Sequence, residues 1–162
     1  MDAILDTDIA NIFGKIGKVV LLKELFPESS LFICSAVRSE LERANLLGYK
    51  FVENVFHNTN IIEPTKREIK LSEKILSKRN IGKGEAESIS IAKTRKMILL
   101  TNDRIAIKEA SIEGVNSLNL PTLLRQMWKK EILLKESVKS IVSEMEEKCN
   151  VKFLNTYEIF RE

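Results

Sequence analysis

The sequence predicts an α/β fold built on a parallel sheet. Five short apolar runs alternate with longer segments in which apolar residues repeat at helical spacing. The runs cover residues 3–5, 31–33, 61–62 and 97–100, and a fifth starts at Gly114 and Val115. Strands that alternate with helices form βα units, in which the strands lie parallel. Such sheets bind ligands at the carboxyl ends of their strands, so the residues that follow each run are the first candidates for a functional site.

Composition is typical of a globular protein with one core. The 162 residues suit a single domain, and 44% apolar with 30% charged residues is ordinary for a soluble chain. We expect residues 1–162 to form one domain, with residues 130–162 as a C-terminal helical extension packed on it. No apolar run reaches membrane-spanning length, and the N-terminus lacks a basic region. Cys34 and Cys149 lie far apart without a Cys or His neighbour, which argues against a zinc site or a disulfide framework and favours the cytoplasm.

The first two strands each lead into a helix that carries an acidic side chain. Asp6 ends the first apolar run, and Thr7 or Asp8 is the expected N-cap of the helix that follows. Gly14 and Gly17 should divide this helix in two. After the second run, we expect Ser35 to cap a helix that ends at Gly48. Glu40 lies within the apolar stripe of that helix, between Ala36 and Val37 on one side and Ala44 and Leu47 on the other.

A basic helix follows the third run. It opens at Pro64 and Thr65, and we expect its inner face to consist of Ile69, Leu71, Ile75 and Leu76. Its cations are Lys66, Arg67, Lys70, Lys74, Lys78 and Arg79. They are most simply a solvated face, although some of them could contact the phosphates of a nucleic acid.

Residues 81–104 contain the strongest signal in the chain. Gly82 and Gly84 predict a loop, followed by a helix over residues 85–94 and a buried strand. Glu85 shares a helical face with Ile89 and Ala92, so its carboxylate should lie on the apolar side. Glu87, two positions further on, should face away from Glu85 and form an exposed ion pair with Lys83. Asp103 lies just past the strand.

Helices should also cover residues 105–111, 121–128 and 136–148. Pro121 suits the first turn of the second of these. We expect the tail, residues 151–160, to pack back on the domain.

Four acids are therefore expected at one edge of the sheet: Asp6, Glu40, Glu85 and Asp103. Clustered carboxylates raise one another's pKa unless cations neutralise them. Ligand sets made only of oxygen select hard ions such as Mg²⁺ or Mn²⁺, and two such ions can activate a water and stabilise the leaving oxygen of a phosphodiester. Each acid alone also has a simpler interpretation, as a helix cap or, for Glu40, as the partner of Arg43.

The same residues carry a resemblance to a known family. The matching segments are Ile4-Leu5-Asp6-Thr7, Ser39-Glu40-Leu41, Gly84-Glu85-Ala86-Glu87 running to Ala92, and Leu100-Thr101-Asn102-Asp103. In order and spacing the chain resembles PIN-domain ribonucleases, in particular the small prokaryotic ones that are toxins of toxin–antitoxin pairs.

This resemblance implies a fold, an activity and partners. The fold would be a three-layer α/β/α sandwich with a parallel five-stranded sheet. The four acids would be catalytic ligands of one or two Mg²⁺ or Mn²⁺ ions in an endoribonuclease that acts on RNA. The partners would be a small antitoxin protein and a second copy of the chain, and the apolar residues 118–124 together with Trp128 could form the dimer contact.

Several neighbours of the acids could support them. Thr7, Ser35, Thr101 and Asn102 could hydrogen-bond the carboxylates, and Lys83 and Arg104 are placed to hold a substrate phosphate.

Three departures from the family pattern matter. Asp8 stands where Ser or Asn is commoner, so it adds a carboxylate or a cap; Glu85 replaces the commoner Asp; and Ile105 stands where a further acid is often found, which argues against tight binding of a second metal.

Two other functions compete with this interpretation. Asp6-Thr7-Asp8 is similar to the start of the Asp-x-Asp motif of haloacid-dehalogenase-like phosphatases, with Asp6 as nucleophile. That family prefers Thr or Val where this chain has Ala10, and it has no use for Glu40. The second alternative is a catalytically weak PIN-like module that binds RNA or a protein.

Overall fold

The computed structural model describes residues 1–78 and 80–162 and contains a five-stranded sheet within them. The strands are β1 (Ala3–Leu5), β2 (Leu31–Cys34), β3 (Asn60–Ile62), β4 (Ile98–Leu100) and β5 (Ser117–Leu118). All neighbours pair in parallel, in the spatial order β3-β2-β1-β4-β5. β1 is fully buried, as expected for a strand at the centre of a sheet that is covered on both faces. The predicted parallel α/β/α fold is confirmed.

Helices form the connections between the strands and the segment after β5. They are α1 (Thr7–Lys15), α2 (Val19–Leu25), α3 (Ser35–Leu46), α4 (Val52–Asn58), α5 (Lys66–Lys78), α6 (Lys83–Arg95), α7 (Arg104–Ile112), α8 (Leu120–Lys129), α9 (Lys135–Lys148) and α10 (Tyr157–Phe160). α6 packs against β1, β2 and β4, and on its other side against α3 and α5. Its residues 86–92 are all buried, so this helix is enclosed by protein. Within the described residues, no helix is both long and apolar enough to cross a membrane.

Some predicted boundaries are wrong by a few residues. Asp6, rather than Thr7 or Asp8, is the N-cap of α1, because its carboxylate accepts the free backbone N–H of Ile9. Ser35 is the first residue of α3 rather than its cap. The break between α1 and α2 falls at Gly17, whose positive φ of 66° suits glycine, while Gly14 stays inside α1.

Two other elements also differ from expectation. The fifth strand begins at Ser117 rather than at Gly114, because Gly114 belongs to the turn that ends α7. The inner face of α5 is partly polar: Ile69 is 42% exposed, whereas Glu68 and Ser72 are buried. Glu68 replaces the expected apolar contact with hydrogen bonds to α6. Of the predicted basic residues, Arg79 lies outside the described residues.

The C-terminal segment packs on α8. Both α9 and α10 contact this helix, and Trp128 Nε1 donates a 2.7 Å hydrogen bond to the carbonyl oxygen of Ile159. Leu120, Leu123 and Leu124 are fully buried. The apolar surface predicted for a dimer contact is therefore used within the chain itself. The assignment of residues 130–162 as an extension of one domain stays a prediction.

Candidate functional site

The centre of the site lies where β1 and β4 end side by side. Leu5 and Leu100 are paired in the sheet, so Asp6 and Thr101 follow them as neighbours. The Thr101 hydroxyl donates a hydrogen bond to the Asp6 carboxylate and accepts one from the Asp103 backbone N–H at 3.2 Å. Thr101 therefore links two of the four predicted acids, and both Asp6 and Thr101 are fully buried.

Glu40 reaches the same edge from α3. Its carboxylate accepts a hydrogen bond from the Thr7 hydroxyl, one residue after Asp6. Gly84 lies against this pair: a Cβ there would be 3.2 Å from Glu40 Oε1, 3.2 Å from Thr7 Oγ1 and 3.1 Å from Val37 Cγ2. The absence of a side chain at position 84 thus allows the start of α6 to approach Glu40 closely.

Glu85 stands in the first turn of α6 and is half-buried. Its carboxylate folds back over the start of the helix, where a methyl group at Gly82 would overlap Oε2. Its neighbours on the same face, Ile89 and Ala92, pack in the core as the sequence predicts.

Asp103 completes the set as the N-cap of α7. Its carboxylate accepts the Ala106 backbone N–H at 2.7 Å, and the residue is otherwise exposed. Of the four acids, Asp6 is thus the most enclosed and Asp103 the most open to solvent.

The electrostatics show that these carboxylates act on one another. Burial, together with the charges of Asp8 and Glu85, raises the pKa of Asp6 to about 7, although hydrogen bonds from Thr101 and Ile9 oppose the rise. Desolvation raises the pKa of Glu85 as well, and the charges of Glu40, Asp103 and Asp8 add to it.

Asp8 belongs to the same electrostatic group. Partial desolvation raises its pKa, Asp103 adds repulsion, and Lys15 opposes both. Asp8 is therefore a fifth carboxylate of the cluster rather than the helix cap.

Apart from the partial effect of Lys15 on Asp8, no cation is paired with the cluster within residues 1–78 and 80–162. None of the five carboxylates forms an ion pair there. Nor do three Asp, Glu, His or Cys side chains come together there in a geometry that could hold a metal ion. The carboxylates accept hydrogen bonds from nearby donors instead: Asp6 from the Thr101 hydroxyl, Glu40 from the Thr7 hydroxyl and Asp103 from the Ala106 backbone N–H.

The donor chemistry fits a hard divalent ion better than a soft one. Every candidate ligand is a carboxylate oxygen, and the hydroxyls of Thr7 and Thr101 orient two of them. The thiol of Cys34 is buried beside Ser88, and burial raises its pKa to about 12, so it stays protonated. His57, the lone histidine, is exposed on α4. Carboxylate oxygens are the ligand type that Mg²⁺ and Mn²⁺ prefer.

Glu87 is a structural residue that the sequence prediction placed wrongly. It is only 6% exposed and makes no ion pair with Lys83 in the described part of the chain. Its Oε1 accepts hydrogen bonds of 2.9 Å from the Ser35 hydroxyl and from the Ala36 backbone N–H at the start of α3. Glu87 therefore fixes the helix that carries Glu40. The run of small and apolar residues on α6 was the signal for this burial, because a helix without a polar face is enclosed.

The remaining predicted residues lie around the acids. Lys83 is exposed and lines an open groove with Glu40 and Arg43. Arg104 is exposed directly after Asp103. The Asn102 side-chain oxygen accepts the Leu120 backbone N–H at 3.4 Å, so it supports α8 rather than a carboxylate. Ser35 likewise contacts Glu87 and none of the four acids.

The protein is an α/β/α protein with an acidic site. Its parallel sheet has the strand order 3-2-1-4-5 and is flanked by helices, and the acids lie at the carboxyl ends of the strands. The family model DUF3368, described as a PIN domain, matches residues 2–155. The chain therefore belongs to the PIN-domain family, whose members are generally nucleases. This membership sets aside the phosphatase alternative.

Solved structures share the fold at low sequence identity. VapBC2 from Rickettsia felis, solved bound to a promoter DNA fragment, matches with a TM-score of 0.58 and 20% identity over 74% of this chain and 98% of that one. VapBC-1 from nontypeable Haemophilus influenzae matches with a TM-score of 0.57 and 17% identity, over 74% of this chain and 98% of that one. PAE2754 from Pyrobaculum aerophilum matches with a TM-score of 0.54 and 12% identity, over 78% of this chain and 96% of that one. At these identities the likeness shows the fold alone. No curated protein matches the sequence.

Proposed function

We propose that this PIN domain is a Mg²⁺- or Mn²⁺-dependent endoribonuclease that hydrolyses RNA phosphodiester bonds. The observation that supports this most is the group of carboxylates at one edge of the sheet, where desolvation and then the charges of neighbouring acids raise the pKa values of Asp6 and Glu85. Members of the PIN-domain family are generally nucleases, so the reaction we propose is hydrolysis of a phosphodiester bond.

The residues have distinct tasks in this proposal. Asp6, Glu40, Glu85 and Asp103 would hold one or two divalent ions, which supply a hydroxide nucleophile and charge stabilisation for the leaving oxygen. Thr7 and Thr101 hold two of the carboxylates in fixed orientations through their hydroxyls. Lys83 and Arg104 are exposed, close in sequence to Glu85 and Asp103, and would bind the phosphates of the substrate.

The biological role we propose is that of a toxin controlled by an antitoxin protein. The support is the resemblance to small toxin-like PIN proteins, together with the fold shared with the two VapBC structures. An antitoxin that inhibits the enzyme would have to cover or neutralise the acidic edge. Purified chain should accordingly lose ribonuclease activity on addition of such a partner.

The direct test is cleavage of single-stranded RNA by purified protein. Activity should require Mg²⁺ or Mn²⁺, disappear with EDTA and return when the ion is added back. Asp6→Asn should remove activity by at least about a hundredfold, the scale seen when one electrostatic stabiliser of a transition state is lost. Asp2→Asn, an exposed change before β1, is the matched control.

Two outcomes would contradict the proposal. Cleavage that persists in EDTA or in the Asp6→Asn variant would come from a contaminating nuclease. RNA binding without any cleavage by wild-type protein would favour the catalytically weak binding module, for which Ile105 in place of a further acid is the supporting observation.

A further inference from the structure

A groove outside the four acids opens beside Asp103. Its volume is about 350 Å³, and it lies between the starts of α7 and α8 and the C-terminal tail. Asn102 and Arg104, the two neighbours of Asp103 in sequence, line it together with residues 151–155 of the tail. The groove therefore lies next to Asp103, one of the four acids.

The groove is rich in hydrogen-bond donors. Three asparagines line it: Asn102, Asn119 and Asn155. Each side-chain oxygen already accepts a hydrogen bond from a backbone N–H, at 3.4, 3.0 and 2.8 Å respectively. None of the three Nδ2 groups donates to another described residue. These amides can therefore donate to acceptors on a ligand.

Positive charge and apolar surface complete the lining. Arg104 and Lys152 are exposed and unpaired with any acid in the described ranges, whereas Glu158 is the one acid that lines the groove. Phe153 is half-buried and offers an aromatic ring on the tail side, and Pro121 adds apolar surface. Two cations, free amides and a ring are the groups that bind a phosphate, base carbonyls and a base face.

We propose that this groove binds one unpaired nucleotide of the RNA, adjacent to the phosphodiester held at the acids. The inference rests on the proposed function and adds a substrate subsite to it, with the C-terminal tail as one wall. A volume of about 350 Å³ lies at the small end of ligand pockets, which span about 300–1,000 Å³, so it suits a single nucleotide. A base in a duplex is stacked and paired and cannot enter, so the subsite selects single-stranded RNA.

The test compares two double variants that are matched in chemistry. Lys152→Ala with Phe153→Leu removes a cation and a ring from the groove and keeps apolar bulk. Lys130→Ala with Tyr49→Leu likewise removes one cation and one aromatic ring, at exposed positions outside the groove. Melting temperatures check that both fold as the wild type does.

Binding and cleavage are then measured separately. The affinity for a fluorescent single-stranded oligoribonucleotide is measured by anisotropy with Mg²⁺ in an Asp6→Asn background, which prevents turnover. The groove variant should bind at least about tenfold more weakly, and the control within about twofold, because one stacked base and one phosphate contact are lost. In the active background the groove variant should raise KM with little change in kcat.

A crosslink gives the position independently. RNA that contains 4-thiouridine should crosslink to residues 151–158, identified by mass spectrometry.

Equal affinities in the two variants, with crosslinks elsewhere and RNA cleavage intact, would overturn the proposal that the groove binds a nucleotide and would leave the proposed function standing. Weaker binding in the groove variant while no preparation cleaves RNA would support the groove and contradict the ribonuclease. A wild type that binds no RNA would overturn both.

Discussion

Glu85 and Glu87 lie two residues apart on α6 but face different surroundings. Glu85 is half-buried among other carboxylates, which help to raise its pKa. Glu87 is buried and accepts two hydrogen bonds at the start of α3. Two residues turn a helix through about 200°, so they cannot share a ligand. In our proposal Glu85 therefore takes part in the chemistry, whereas Glu87 holds α6 against the start of α3.

Substitutions at these two positions should separate activity from stability. Glu85→Gln should lower metal-dependent RNA cleavage by at least about a hundredfold, because a ligand charge is lost, and leave the melting temperature close to that of the wild type. Glu87→Ala should lower the free energy of unfolding by about 2 kcal/mol, because hydrogen bonds to a buried carboxylate are lost. Cleavage assays and urea unfolding measure the two effects.

The reverse pattern would contradict this assignment. Full activity in Glu85→Gln, or an unfolding free energy in Glu87→Ala equal to that of the wild type, would mean that the start of α6 is oriented differently. Glu87→Gln is the graded control: its amide oxygen can still accept from Ser35 and Ala36, so it should destabilise the protein less than alanine does.

At the residue scale the sequence predicts the acids better than their contacts. Asp6 and Asp103 follow buried strands, and that position alone brings them to one edge of a parallel sheet. The hydroxyl that holds the second oxygen of Asp6 and the one that holds Glu87 come from residues distant in sequence, Thr101 for one and Ser35 for the other. Helical periodicity carries no information about such partners.

An ion pair with a buried carboxylate links α5 to α6. Arg95 donates from Nε and from its terminal nitrogen to the Glu68 carboxylate, both at 2.8 Å. Thr94 and the backbone N–H of Thr65 donate to the same carboxylate. The hydrogen bonds from Arg95 are the main reason that the pKa of Glu68 is lowered to about 2.

This pair predicts a specific loss of stability in acid. Because the pKa of Glu68 lies below its ordinary value of 4.5, its contribution is complete above that value and is lost as pH falls toward 2. The contribution should be about 2–3 kcal/mol. Urea unfolding between pH 5 and pH 2 should therefore show a steeper decline for the wild type than for Glu68→Gln.

An exposed pair provides the comparison. Glu42 pairs with Arg38 at 2.7 Å on the surface of α3, and a surface pair contributes at most about 1 kcal/mol. Glu42→Gln should follow the wild-type pH profile closely. A Glu68→Gln profile that also follows the wild type would show that the buried pair does not hold α5 against α6.

At the element scale, the alternation of apolar runs with helical segments is sufficient to predict the parallel sheet, but it does not predict the shortest elements. α4 has seven residues and lies in a stretch without a clear apolar stripe, and no helix was predicted there. β5 has two residues, so its start could not be read from periodicity. Both are fixed by tertiary contacts, α4 by α1 and β5 by pairing with β4.

For the whole molecule, self-association stays a prediction without its expected contact surface. The apolar residues of α8 are buried, and Trp128 is hydrogen-bonded to Ile159 within the chain. A dimer would have to use another surface. Light scattering at micromolar concentration should give twice the monomer mass of 18.5 kDa. A measured mass of 18.5 kDa would contradict the dimer and leave the proposed activity unaffected.

In the proposed function, the carboxylates of Asp6, Glu40, Glu85 and Asp103 hold a divalent ion at the edge of the sheet. Anomalous diffraction from crystals grown with Mn²⁺ tests it without any activity assay. We predict at least one strong anomalous peak among the carboxyl groups of Asp6, Glu40, Glu85 and Asp103, weakened or lost in crystals of the Glu85→Gln variant. Density for manganese only elsewhere on the protein, with these four carboxylates unliganded at millimolar Mn²⁺, would contradict the account.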